Sequence, residues 1–124
     1  MLMAWLTVLK NMSEVAVELR ECSIGDPEGT CCLVIRLPPK ARRVILAEKF
    51  RQHCLDSGFP RTIKVCSNGV CFATLKPDAF IDNKRITVRD DLNGHKVVHL
   101  TIRPTLLDHF NKSIRCFQGN IHED

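Results

Sequence analysis

Asn93-Gly94 lets this chain fold back on itself in two ways, and the apolar residues on either side choose between them. Asn-Gly closes β-hairpins because both residues accept a positive φ. A two-residue loop pairs Leu92 with His95, sets Val88 against His99 and Thr87 against Leu100, and mixes apolar with polar on both faces. A three-residue loop of Leu92-Asn93-Gly94 pairs Asp91 with His95, Asp90 with Lys96, Val88 with Val98 and Ile86 with Leu100. One face is then uniformly apolar. A slip of one residue turns every side chain over, so burial of one face selects the second register, with Gly94 left-handed in a bulge.

That register puts Arg85, Thr87 and Arg89 on the opposite face, beside Val97, His99, Thr101 and Arg103 of the partner strand. Guanidinium groups hold phosphates and carboxylates bidentately, so Arg85, Arg89, His99 and Arg103 form a candidate oxyanion-binding face. The plainer reading is a solvated sheet face, or one covered by the acidic strand that carries Glu14, Glu18 and Glu21.

The remaining chain is punctuated by turns. Val15, Val17 and Leu19 alternate with Glu14, Glu18 and Arg20, as in a half-buried strand. After Ile24-Gly25-Asp26-Pro27-Glu28-Gly29, the run from Cys31 to Leu37 is apolar on nearly both faces and reads as a central strand. Pro38-Pro39 is expected to open a helix over 40–57 that stops at Gly58, with Val44, Leu46, Ala47, Phe50, Cys54 and Leu55 on its core face and Ile45 outside it. A hairpin around Ser67-Asn68-Gly69 pairs 61–66 with 70–76; its loop length is open, because two residues set Cys66 opposite Cys71 and three set Lys64 opposite Phe72. Leu106, Leu107, Phe110, Ile114 and Phe117 recur at helical spacing over 105–117. The expected class is α+β: an antiparallel sheet of about six strands, with two Asn-Gly hairpins, covered by two helices. It forms a single domain over 1–119 with a frayed tail at 120–124.

Seven cysteines, at 22, 31, 32, 54, 66, 71 and 116, make an odd number, and none forms a C-x-x-C pair. They sit in apolar runs, which points to reduced, buried thiols and an intracellular setting, cytoplasmic or nuclear. Met1 to Leu9 is apolar but has no basic start or small-residue cleavage site, and is too short to cross a bilayer, so no membrane association is expected. Charge is unevenly spread. Over 10–30, Lys10 and Arg20 face five acids, whereas over 36–64 eight cations, among them Lys40, Arg42, Arg43 and Lys49, face Glu48 and Asp56. Such asymmetry can steer an anionic partner.

Chemistry-bearing motifs are absent from the chain: there is no G-x-S-x-G turn, P-loop or H-E-x-x-H helix. The acid pairs Asp90-Asp91 and Glu123-Asp124 lie in a turn and a tail. Cys66-x4-Cys71 lacks zinc-knuckle spacing, and His95 and His99, four apart on a strand, cannot chelate together. No enzyme, metal or cofactor is expected.

Three fragments resemble the RNA-recognition-motif family. Leu33-Val34-Ile35-Arg36-Leu37-Pro38 is similar to its first-strand motif, Gly69-Val70-Cys71-Phe72-Ala73-Thr74-Leu75 to its third-strand motif, and Leu92-Asn93-Gly94 to the loop before its last strand. The resemblance implies base stacking on aromatics, for which only Phe72 is present; Val34, Val70 and Leu75 stand where aromatics would serve.

Two functional expectations follow. The first is a non-enzymatic protein-interaction module or adaptor, with a protein partner or self-association through an edge strand, anchored by Trp5 and Ile45. The second is a small RNA- or DNA-binding protein that uses Arg85, Arg89, His99 and Arg103 with the basic residues Lys40, Arg42, Arg43 and Lys49.

Overall fold

A computed structural model describes residues 5–24 and 31–104 of the chain. Strands β1 (Leu6–Asn11), β2 (Val17–Ser23), β3 (Cys31–Leu37) and β4 (Arg42–Leu46) precede helix α1 (Lys49–Ser57). Strands β5 (Arg61–Ser67) and β6 (Val70–Leu75), a short helix α2 (Asp78–Asp82), and strands β7 (Asn83–Asp90) and β8 (Lys96–Ile102) follow. The expected helix over 105–117 and the tail 120–124 lie outside the described residues.

The strands form two four-stranded sheets, ordered β4-β1-β7-β8 and β3-β2-β5-β6, rather than one sheet of six. Pairing is antiparallel except between β1 and β7, which run parallel with Leu9 beside Ile86. The sheets bury one another's apolar faces: Leu9, Ile45, Ile86 and Val88 share a core with Val17, Leu19, Ile35, Leu37, Ile63, Val65 and Leu75. Each sheet thereby supplies the other with the cover that helices were expected to give. The two helices contribute one fully buried ring each, Phe50 and Phe80, whose centroids lie 4.6 Å apart.

The second hairpin has the register that its apolar residues select. Ile86 faces Leu100, Val88 faces Val98 and Asp90 faces Lys96, and Gly94 has φ 79°. Asp91 Oδ1 accepts from the Asn93 and His95 N–H groups, which holds the three-residue loop. The first hairpin begins in the two-residue register and then shifts to one that neither candidate gave, with Lys64 opposite Thr74 rather than Phe72. Asn68 (φ 52°) and Gly69 (φ 79°) make a two-residue turn that sets Cys66 opposite Cys71. A bulge follows, so that Val65 pairs with Ala73 and Phe72 turns to the core as the extra residue.

The expected helix over 40–57 is wrong in its first half. Pro39 occupies the second position of a turn closed by the Ala41 N–H on Pro38 O (3.1 Å), with Lys40 left-handed at φ 62°. Proline's fixed φ suits that position as well as it suits the start of a helix. Residues 42–46 form a strand instead: Ile45 is buried, while Val44 and Leu46 are exposed, the reverse of the helical assignment. Helix geometry begins at Lys49 and ends at Gly58, whose left-handed backbone (φ 74°) lets its N–H reach Cys54 O. Strand β3 is also an edge rather than a centre, with Cys32, Leu33 and Arg36 exposed.

The cysteines depart from expectation as well. Cys22 bonds to Cys31 across β2 and β3, and Cys66 to Cys71 across β5 and β6. Each pair is directly opposed in its ladder, which brings the thiols together. Cys32 and Cys54 are unpaired.

Candidate functional site

Asn11 anchors the crossing between the sheets. It is fully buried, and its Nδ2 lies within 3.1 Å of Val15 O, Leu37 O and Pro38 O. Its Oδ1 accepts from the Ser13 N–H and hydroxyl, forming an Asx-turn. The chain therefore passes from β3 at the edge of one sheet to β4 at the edge of the other in a single tight turn. On the opposite side β6 and β8 approach each other. Between β3 and β4 a cleft of ≈ 980 Å³ remains, lined by Trp5, Val34 and Ile45, with Arg43 on its rim and Lys49 and His53 of α1 at one end.

α1 is held over that end by a buried carboxylate. Glu21 is 6 % exposed, and both its oxygens lie 3.0 Å from His53 Nδ1, with Arg61 Nη1 at 3.5 Å. A carboxylate so placed must be paired, and here the pairing ties the helix to β2 and β5.

The outer edge of β4 has no partner strand among the described residues. Asn11 N–H donates to Ala41 O and Ala47 N–H to Trp5 O, and the register continues through Arg43 and Ile45. In an antiparallel ladder alternate residues bond to the same side, so the N–H and C=O groups of Arg42, Val44 and Leu46 point outward. Their side chains share one face with Leu6 and Val8, where Leu46 pairs with Leu6 and Val44 with Val8. Leu6, Val44 and Leu46 are each about half exposed. An apolar edge with unpaired backbone groups is a site for strand addition.

The sequence-predicted residues divide among three places. Trp5, Ile45, Arg43 and Lys49 meet at the cleft, and Arg42 lies on the adjoining edge. Ile45 is buried, however, so it floors the site rather than anchoring a partner. Lys40 is tied down: its Nζ donates to Met12 O (2.7 Å) and pairs with Glu14 (3.0 Å). Arg42, Arg43 and Lys49 make no ion pair among the described residues.

Arg85, Arg89 and His99 are half-buried and engaged with neighbours. Thr87 and Thr101, on the same face, are fully buried, so this is not the open surface expected. Nor does the acidic strand cover it. Strand β2 belongs to the other sheet, and Glu18 pairs there with Arg20 at 2.9 Å.

Arg103 is not an anion-binding group at all. Its Nε donates to Ile81 O (2.6 Å), Nη1 to Leu6 O (2.9 Å), and Nη2 to Thr7 Oγ1 (2.9 Å) and Phe80 O (3.0 Å). Burial pushes its pKa down, and the neighbouring charge of Asp82 offsets only part of that shift.

No protein-family model and no curated protein matches the chain. Function therefore rests on the site alone. The exposed anchors Val44 and Leu46 escaped sequence reasoning because a helical period placed them in the core. The signal that could have found them is the β-branched pair Val44-Ile45, a few residues beyond the turn-forming Pro39.

Proposed function

We propose that this protein is a non-enzymatic interaction module that binds a protein partner by accepting an added strand along the outer edge of β4. The observation that carries this reading is the coincidence of unpaired backbone groups at Arg42, Val44 and Leu46 with half-exposed apolar side chains on the same strand. Backbone groups supply affinity in such a mode, and the alternating side chains supply selectivity. Its histidine–carboxylate pair, His53 with Glu21, serves to hold α1 in place.

Titration of the labelled protein with an array of extended decapeptides tests the proposal. Peptides that bind should shift the backbone amides of Arg42, Val44 and Leu46 and slow their hydrogen exchange. The amides of Arg43 and Ile45, already bonded to β1, should move little. Val44→Pro removes one outward donor without touching the bonds to β1, and should abolish binding while the fold persists. Unchanged edge amides across the array would sink the idea.

A second reading, a small RNA- or DNA-binding protein, has one supporting observation: Arg42, Arg43 and Lys49 are cations near one cleft with no acid paired to them among the described residues. It predicts binding to a generic single strand that weakens steeply with salt and is lost when these three become alanine.

A further inference from the structure

We infer that the strand added to β4 is β4 of a second copy of this chain, antiparallel about a two-fold axis through Val44. This rests on the edge of β4 being the binding site. Strand β4 is complementary to itself. The outward-facing residues are Arg42, Val44 and Leu46, so a two-fold at Val44 pairs Val44 with its own copy and Arg42 with Leu46 of the other chain. Every outward N–H then meets an outward C=O, and the β4-β1-β7-β8 sheets of the two copies become one continuous sheet of eight strands.

Charge chooses the antiparallel direction. β4 is entered from Lys40, begins with Arg42 and Arg43, and leads to Glu48. Antiparallel pairing brings Arg42 and Arg43 at the start of one copy towards the Glu48 end of the other. The two Arg42 side chains are then about 13 Å apart along the strand, beyond the ~8 Å screening length at physiological salt. A parallel pair would instead stack Arg42 on Arg42. Side-chain character agrees. The exposed Leu6, Val44 and Leu46 of each copy merge into one apolar stripe across the seam. An acidic peptide would answer the arginines but not the Glu48 end. A single nucleic-acid strand would leave the apolar stripe uncovered.

Cross-linking and sedimentation test this, with a background in which Cys32, Cys54 and Cys116 are serine. In an antiparallel hydrogen-bonded pair the Cα atoms are about 5.5 Å apart, within disulfide reach. Val44→Cys should therefore form a covalent dimer under mild oxidation, whereas Arg42→Cys should not. Sedimentation velocity of the unmodified chain from 1 to 500 μM should show a concentration-dependent dimer. Leu46→Arg places like charges opposite each other and should give a monomer; the double variant Arg42→Glu with Leu46→Arg should restore the dimer. Amide spectra of each variant confirm that it is folded. A monomer at every concentration, or equal cross-linking at 42 and 44, overturns the inference. If the chain is monomeric yet the edge amides respond to peptides, the self-pairing fails and strand addition stands; if neither occurs, both fail.

Discussion

The guanidinium carbon of Arg103 lies 5.0 Å from the centroid of the Trp5 ring. Trp5 lines the cleft, and Arg103 fixes it there while its nitrogens clasp the start of β1 to the end of α2. A residue just beyond β8 thus shapes a cleft that lies between β3 and β4.

Arg103→Ala should destabilise the fold by about 3 kcal/mol, because it removes charge-assisted bonds and strands the buried acceptors that they satisfy. Arg103→Lys should recover only part of the loss, since a point charge cannot reach four acceptors in one plane. Chemical denaturation measures the loss. Trp5 is the single tryptophan, so its fluorescence should report the released ring in the folded variant.

His53→Ala leaves the Glu21 carboxylate buried with only Arg61 near it. A loss of about 2 kcal/mol is expected, since a buried carboxylate that loses its nearer partner is costly. Glu21→Gln should cost less, as an amide can still accept from His53. Hydrogen exchange should show α1 loosened ahead of the sheets in both variants.

Asp90 predicts a pH effect with a definite sign. The hydrogen bond from Lys96 Nζ (2.7 Å) holds its carboxyl below the usual carboxylate range. A folded value below the unfolded one means that the stabilisation is complete above the unfolded pKa and disappears as pH falls through the folded one. Lys96→Met should raise the Asp90 titration midpoint, followed by carboxyl NMR. It should also flatten the acid side of the stability profile of the hairpin.

Alkylation under denaturing, non-reducing conditions should label Cys32 and Cys54 and spare Cys22, Cys31, Cys66 and Cys71. Replacing Cys66 and Cys71 together by alanine should cost about 2 kcal/mol, the modest value expected for closing a short loop. Labelling of all four paired cysteines by mass spectrometry would refute the bonded form.

What the residues declare locally, they declare well. Asn93-Gly94 and the apolar series Ile86, Val88, Val98 and Leu100 determine the second hairpin and its register, because turn geometry and a buried face act over adjacent strands. Asn68-Gly69 and Gly58 likewise mark a turn and a helix stop through their own backbone preferences. Only the tertiary structure decides the rest. Val44 and Leu46 fit a helical arc, with Ile45 off it, as readily as they fit a strand until β1 is present to bond them. Cys22 meets Cys31, and β1 lies parallel to β7, through contacts between distant parts of the chain. Arg103 looks like a surface cation until the carbonyls of Leu6, Phe80 and Ile81 converge on it. Hydrophobic period is a property of neighbours in sequence; which face is covered, and by what, is a property of neighbours in space.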